Sequence, residues 1–349
     1  MRTKLIFTLI FVLLLVGQGW AATNTFIVGG VDTNWSTHGN WSLGHDPDAT
    51  EDVVLDASSG NITGTASMVC NTLDSTGYTG TFACSTNTLT STGNIIWAAG
   101  TITGSGAITC GGTFSQTGGV FNHTGWTKRY FTGHGADALW SNVDNWAGSS
   151  NGTGSASIPT STINAYFDAS STNCTISAHA YCYDFDSTGY TKTIARSGTR
   201  ILYCYHNMVC GSGMFWGGAA SDTIYFEGAD CSLTSNGVVF LRISVAAGNV
   251  KLNGPLTCSY LWAYGAGSID TNDQTVNMIF SEAEPTATGG FDFGASTINT
   301  VGVSYHSGNS IVAGTSTLNA SSDFAGGGKT YATVNLTGSC AMTGTNTFS

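Results

Sequence analysis

The sequence predicts an all-β chain built as a solenoid of repeated units. Three observations predict it. Strand-like runs are short and divided by Gly, Ser, Thr and Asn, one long unit occurs twice, and motifs in the tail return about every 20 residues. Outside an N-terminal apolar run, no window combines apolar residues at helical spacing with helix formers, so helix content should be minimal.

Residues 1–22 read as a secretory signal peptide. Arg2 and Lys4 form a basic start, residues 5–16 an apolar run, and Gly17 to Ala22 a small-residue cleavage region. Twelve positions, eleven of them apolar and one Thr8, are short of the roughly 20 that cross a membrane, so an uncleaved anchor is the weaker reading. The mature chain is expected to be secreted, extracellular or at the cell surface, with no membrane insertion. Removing Arg2 and Lys4 leaves eight Lys+Arg against 21 Asp+Glu, a net charge of −13. Phosphate backbones need a basic surface, so nucleic acid is not an expected partner. Charged residues are only 9% while hydrophobic residues reach 41%, which argues against disorder.

The repeated unit begins at Trp35-Ser36-Thr37-His38-Gly39-Asn40-Trp41, which returns as Trp140-Ser141-Asn142-Val143-Asp144-Asn145-Trp146. Asp56-Ala57-Ser58-Ser59 returns at Asp168, and Asp74-Ser75-Thr76-Gly77-Tyr78-Thr79 returns intact at Asp186. The offset is 105 at the tryptophans and 112 afterwards, so the second copy carries seven extra residues. They fall at 147–154, a Gly/Ser/Asn stretch of surface-loop composition. Between these landmarks, runs such as 52–56, 68–73, 164–168 and 180–185 have strand character.

In the last 110 residues, Phe293-Gly294-Ala295-Ser296-Thr297-Ile298-Asn299 is echoed 20 positions later by Ala313-Gly314-Thr315-Ser316-Thr317-Leu318-Asn319. That spacing suits one coil of a β-solenoid, whose apolar face is covered only by the next coil. Identical Thr, Ser and Asn on successive coils should form hydrogen-bonded ladders. The expected division is 1–22 signal peptide, 23–128 first β unit, 129–240 second β unit and 241–349 solenoid coils. The ten cysteines all lie in the mature region, and no C-x-x-C occurs. Disulfides and buried thiols remain equal alternatives.

The W-S-x-x-x-N-W opening, the following Asp-bounded strand and the Gly-Tyr-Thr-Gly turn resemble repeats of exported bacterial β-helix proteins of the adhesin or autotransporter-passenger kind. The tail motifs at 314–319, 326–331 and 344–348 resemble coils of the same broad group. The resemblance implies a right-handed parallel β-helix, with β-sandwich-like interruptions as a variant, far more than it implies an activity. The chain stops in mid-coil at Asn346-Thr347-Phe348-Ser349, so a truncated chain or an end covered by a partner is expected.

The candidate chemistry is sparse. Asp46, Asp48, Glu51 and Asp52 crowd four acids into seven residues and are weak calcium candidates, lacking the spaced D-x-D-x-D-G pattern; a solvated turn is the plainer reading, and no other cofactor is expected. A polysaccharide lyase or glycoside hydrolase would need converging carboxylates, for which Asp184, Asp186, Glu282 and Glu284 are the candidates. Only Asp186 is repeated, as Asp74, which suits turn chemistry better. Single scattered histidines carry no metal motif. Trp35, Trp41, Trp140 and Trp146 are either platforms for extracellular glycan or caps that plug each unit, and their repetition favours caps, leaving recognition to the variable loop. The leading functional expectation is a non-enzymatic, exported, surface-associated structural or adhesive solenoid contacting an extracellular glycan or surface component. The β-helix enzyme is the alternative, and a phage-derived fibre or spike a further one.

Overall fold

The motifs that recur in the sequence recur in space. The structure is a computed structural model that describes residues 21–123, 127–217, 223–283, 287–338 and 341–348. The signal-peptide expectation therefore lies, for residues 1–20, outside the described residues. The chain divides into two compact units, Met1–Gly125 and Trp126–Ser349. Both are parallel β-solenoids, with about 14 turns between them. Among the described residues helix is limited to two single 3-10 turns, His38–Asn40 and Val143–Asn145.

Each coil of the first unit passes through three short strands, one per face. The first face stacks Thr23–Thr25, Asp52–Val54, Thr72–Asp74, Ile95–Trp97 and Phe114–Gln116. The second stacks Ile62–Thr63, Thr81–Ala83, Thr101–Gly104 and Val120–His123, and the third Met68–Cys70, Leu89–Ser91 and Ile108–Cys110. Strands this short alternate in and out, so each contributes one or two core residues. On the second face these form the column Ile62, Phe82, Ile102 and Phe121, at steps of 20, 20 and 19 residues. Tyr78 closes one corner, and an added Cβ on Gly100 (φ +71°) would stand 2.3 Å from its ring. Only glycine fits there.

In the second unit one ten-stranded sheet runs from Trp146–Ala147 and Lys128–Phe131 through Asn164–Tyr166 to Ser310–Val312. A second face begins with Cys174–Ile176, Thr193–Arg196 and Phe215–Trp216, and a third with Ala180–Cys182, Ile201–Cys204 and Thr223–Phe226. The third face then lengthens, because no glycine or turn interrupts Val239–Val245, Leu256–Ala263 and Thr275–Ala283. It splits again where Thr297–Thr300 and Gly302–Tyr305 both pair with Thr275–Ala283. Val239–Val245 spans position 240, so the coils of 129–240 run into those of 241–349 without a break. Asn277, Asn299, Asn319 and Asn335 form an outer amide ladder with bonds of 2.8, 2.7 and 2.8 Å.

Each unit opens with the same tryptophan loop. Trp41 Nε1 donates to the Trp35 carbonyl at 2.6 Å, and Trp146 Nε1 to that of Trp140 at 2.7 Å. The paired rings meet edge-on at 4.7 and 4.8 Å. Asn40 Oδ1 accepts from Gly30 N–H and its amide donates to the Asn34 carbonyl; Asn145 repeats this with Gly135 and Leu139. These loops are the interruptions of the coil. Among the described residues none is sandwich-like; antiparallel pairing is confined to Phe26 with Trp41 and to Lys128–Phe131 with Trp146–Ala147.

Among the described residues the nine cysteines are free thiols, eight of them buried; Cys340 lies outside. Cys182 and Cys204 stand in register on neighbouring strands. Burial pushes the thiols of Cys70, Cys84 and Cys258 up to about 12.

Candidate functional site

The residues nominated by the sequence are mostly engaged within the fold. Trp35, Trp41, Trp140 and Trp146 are 0–3% exposed, so none presents a ring face to solvent. The 147–154 loop folds back: Ala147 and Ser149 are buried, and the Gly152 carbonyl lies 2.7 Å from His134 Nδ1.

The acids at 46–52 point at protein partners. Asp46 pairs with His38 at 2.9 Å. Asp48 accepts from the hydroxyl and N–H of Thr50, which hold its carboxyl below the usual range. Glu51 is buried against the Asn24 amide, and Asp52 accepts from Asn71 and Thr72. His45, beside Glu51, has its pKa raised, first by its contact with the Asp46 carbonyl. No group of three or more His, Cys, Asp or Glu among the described residues could hold a metal ion.

The four acids of the enzyme alternative are not brought together. Asp184 Oδ1 lies 2.8 Å from His206 Nδ1 and accepts from Asn207 N–H. Asp186 accepts from Thr188 N–H at 2.8 Å, the same turn that Asp74 makes with Thr76. Glu282 lies on another face, four coils along, roughly 19 Å at about 4.8 Å per coil. Glu284 lies outside the described residues.

A different constellation lies on the outer side of the long strands. One column of in-register residues runs Thr223, Arg242, Tyr260, Phe280 and Gly302. Asp323 comes next on the following coil, since Phe324 pairs with Val303. The neighbouring column runs Tyr181, Tyr203, Tyr225, Ser244, Trp262 and Glu282. Side chains two residues apart on a strand share a face, so both columns look outward together.

Two depressions flank the first column, the smaller between it and the neighbouring column and the larger on its other side. The smaller is lined by Arg242, Tyr260, Leu261, Trp262, Phe280 and Glu282. The larger, about 330 Å³, is lined by Tyr260, Ile279, Phe280, Val301, Gly302, Ser322 and Asp323. They share Tyr260 and Phe280 as a common wall and together make one grooved stretch of the outer surface. Tyr260 and Ile279 are 39% and 50% exposed, an unusual exposure of apolar surface on adjacent strands.

The polar groups of this groove have unused capacity. The Arg242 guanidinium lies over the rings of Tyr260 (5.2 Å) and Trp262 (5.5 Å), and it makes no ion pair with Glu282. Glu282 and Asp323 carboxylates have no hydrogen-bond or ion-pair partner among the described residues, unlike the acids at 46–52, 184 and 186. Next to the groove, Ser244 Oγ and Trp262 Nε1, on neighbouring strands, are buried without a hydrogen-bond partner among the described residues. An unmet buried donor costs about 1–3 kcal/mol. Aromatic surface beside unspent carboxylates and a guanidinium can hold a polyhydroxylated ligand by ring contact and hydrogen bonds.

By contrast, the tyrosine end of the second column has its ring faces engaged. Tyr181 stacks on Tyr203 at 5.0 Å and 9°, and Tyr203 lies 5.6 Å from Tyr225. Sequence reasoning missed this column and the groove, although Tyr181-Cys182-Tyr183 returning 22 residues on as Tyr203-Cys204-Tyr205 was a usable signal. No family model, curated protein or solved structure matches the chain.

Proposed function

We propose that the protein is an exported, surface-associated β-solenoid with a structural and adhesive role, holding an extracellular glycan without turning it over. The observation that carries this reading is the groove on the second unit, where Tyr260, Trp262 and Phe280 lie beside Arg242, Glu282 and Asp323, charges that no ion pair among the described residues consumes. The apolar run at 5–16 supports export. A stack of coils repeating at about 4.8 Å supports multivalent contact with an extended polymer, because neighbouring weak contacts are tied at high effective concentration.

The β-helix lyase or hydrolase is the second reading. What favours it is that Glu282 shares the smaller depression with Arg242. What weighs against it is that Asp184 is engaged by His206 and Asn207 of the neighbouring coil and Asp186 by its own turn, both away from Glu282.

The test is adsorption of the mature chain to a panel of insoluble neutral and acidic polysaccharides. Release of reducing ends and of unsaturated uronides is followed in parallel. Retention without release is expected. Release abolished by Glu282→Gln would establish the enzyme, and no retention on any polymer would remove the glycan-binding reading.

A further inference from the structure

We infer that the space beside Gly302 is a subsite for one uncharged pyranose ring of a neutral polysaccharide, seated on Phe280 and hydrogen-bonded by Asp323 and Ser322. This rests on the glycan-binding reading above and names the ligand class and the residues that set it.

The column that gives Arg242, Tyr260 and Phe280 on successive coils gives glycine at 302. An added Cβ there would stand 3.3 and 3.4 Å from Phe280 Cδ2 and Cε2, and 3.1 Å from the Asp323 carbonyl. Gly302 is therefore held close under the Phe280 ring and the Asp323 backbone, and the depression opens beside this contact as a gap lined by both residues. A left-handed backbone is not what requires glycine here, because Gly302 is not among the glycines of positive φ. What distinguishes the position is the close approach of the Phe280 ring and the Asp323 carbonyl, which leaves no room for a Cβ without a shift.

The gap has two kinds of wall. Tyr260, Ile279, Phe280 and Val301 are apolar; Ser322 offers a hydroxyl and Asp323 a carboxylate. A pyranose with equatorial hydroxyls has the same asymmetry, with C–H bonds on its faces and hydroxyls around its rim. Its face can lie on the apolar side while rim hydroxyls donate to Asp323 and exchange hydrogen bonds with Ser322. The volume of about 330 Å³ is at the small end of ligand sites, which suits one sugar unit of a longer chain.

Charge selects against acidic sugars. No cation lines this gap, Asp323 lies in it, Glu282 stands on the next column, and the whole chain carries −11. A uronate placed here would meet a like charge at close range. The adjoining depression lies across Tyr260 and Phe280, so the polymer continues from the gap past Arg242.

The experiment is isothermal titration of the mature chain with soluble gluco-, manno- and galacto-oligosaccharides, and with oligogalacturonate as the anionic probe. The wild type should bind a neutral oligosaccharide and not oligogalacturonate. Gly302→Val, whose side chain would push the Phe280 ring into the gap, should weaken binding by about tenfold or more, with its fold checked by circular dichroism and melting. Asp323→Ala, an exposed outer-face change, should weaken binding by about tenfold, as expected for losing a hydrogen bond to a charged group. If Gly302→Val misfolds, Asp323→Ala decides. Neutral binding unchanged in a folded Gly302→Val or in Asp323→Ala overturns the subsite and leaves the adhesive reading standing. Binding of oligogalacturonate alone overturns the neutral assignment only. Retention of no polymer overturns both.

Discussion

Replacing Trp146 by alanine should destabilise the second unit at its first coil. The indole is fully buried and meets Trp140, Phe131 and Phe167 at ring separations of 4.8, 5.2 and 5.7 Å. Removing a large buried aromatic costs about 3–5 kcal/mol in lost contacts and residual cavity. The Trp140 carbonyl also loses the 2.7 Å bond from Nε1, and an orphaned buried acceptor adds roughly 1–3 kcal/mol. A total of about 4 kcal/mol or more is therefore expected. Trp146→Phe keeps a ring but not the donor and should cost far less. Trp41→Ala is the matched change in the first unit, where the ring meets Trp35 and Phe26 at 4.7 and 5.0 Å. Native-state hydrogen exchange, read peptide by peptide, assigns the loss to a unit. Trp146→Ala should lower protection of Asn164–Tyr166, and Trp41→Ala that of Asp52–Val54. A loss below about 1 kcal/mol, or a folded Trp146→Ala that no longer adheres to glycan, would refute the cap and restore these rings as binding platforms.

Alkaline pH should weaken both units through their thiols. Burial raises Cys70 and Cys84 in the first unit, and Cys258 in the second, from an ordinary value of 9.0 to about 12. Folded thiols stay neutral while unfolded ones ionise, so their contribution is full below pH 9 and falls as pH rises from 9 towards 12. Cys70 and Cys84 together cost the first unit up to about 3 kcal/mol per pH unit in that window. Urea melts at pH about 8 and about 10.5 check this, and unchanged midpoints would contradict thiols buried in the folded state. Asp186→Ala and Asp74→Ala each remove a turn bond to Thr188 or Thr76 N–H and should cost about 1 kcal/mol without changing glycan retention. Lost retention at normal stability in Asp186→Ala would instead place that acid in recognition.

The repeats made the architecture legible, because each marks a position where backbone groups need the same partner. Asp56 and Asp168 accept from Ser58 and Ser170 N–H at 2.8 and 2.9 Å, and Asn40 and Asn145 hold matching glycine and carbonyl groups. The parallel solenoid expected from the tail spacing is what both units form. The coils were harder to read, since even outside the two tryptophan loops, where the steps are 29 and 36 residues, in-register steps range from 16 residues (Leu318 to Val334) to 25 (Met208 to Leu233). A fixed period finds only the most regular stretch. The groove was hidden for the same reason. Arg242, Tyr260, Phe280, Gly302 and Asp323 come from separate coils, at steps of 18, 20, 22 and 21, and share no residue type. Acids close in sequence, such as Asp184 and Asp186, drew attention because a solenoid turn concentrates polar residues. Asp186 bonds its own turn and Asp184 bonds His206 and Asn207 of the next coil, while Glu282 and Asp323, without such partners among the described residues, are spread along the axis.

The central claim, that the outer groove of the second unit holds glycan, is tested most directly by hydroxyl-radical footprinting of the chain free and bound to a polymer that retains it. Tyr260, Trp262 and Phe280 should be protected on binding, while exposed Val31 and Val143, far from the groove in sequence, should oxidise equally in both states. Protection confined to residues outside the groove, with Tyr260, Trp262 and Phe280 unchanged, would contradict the claim.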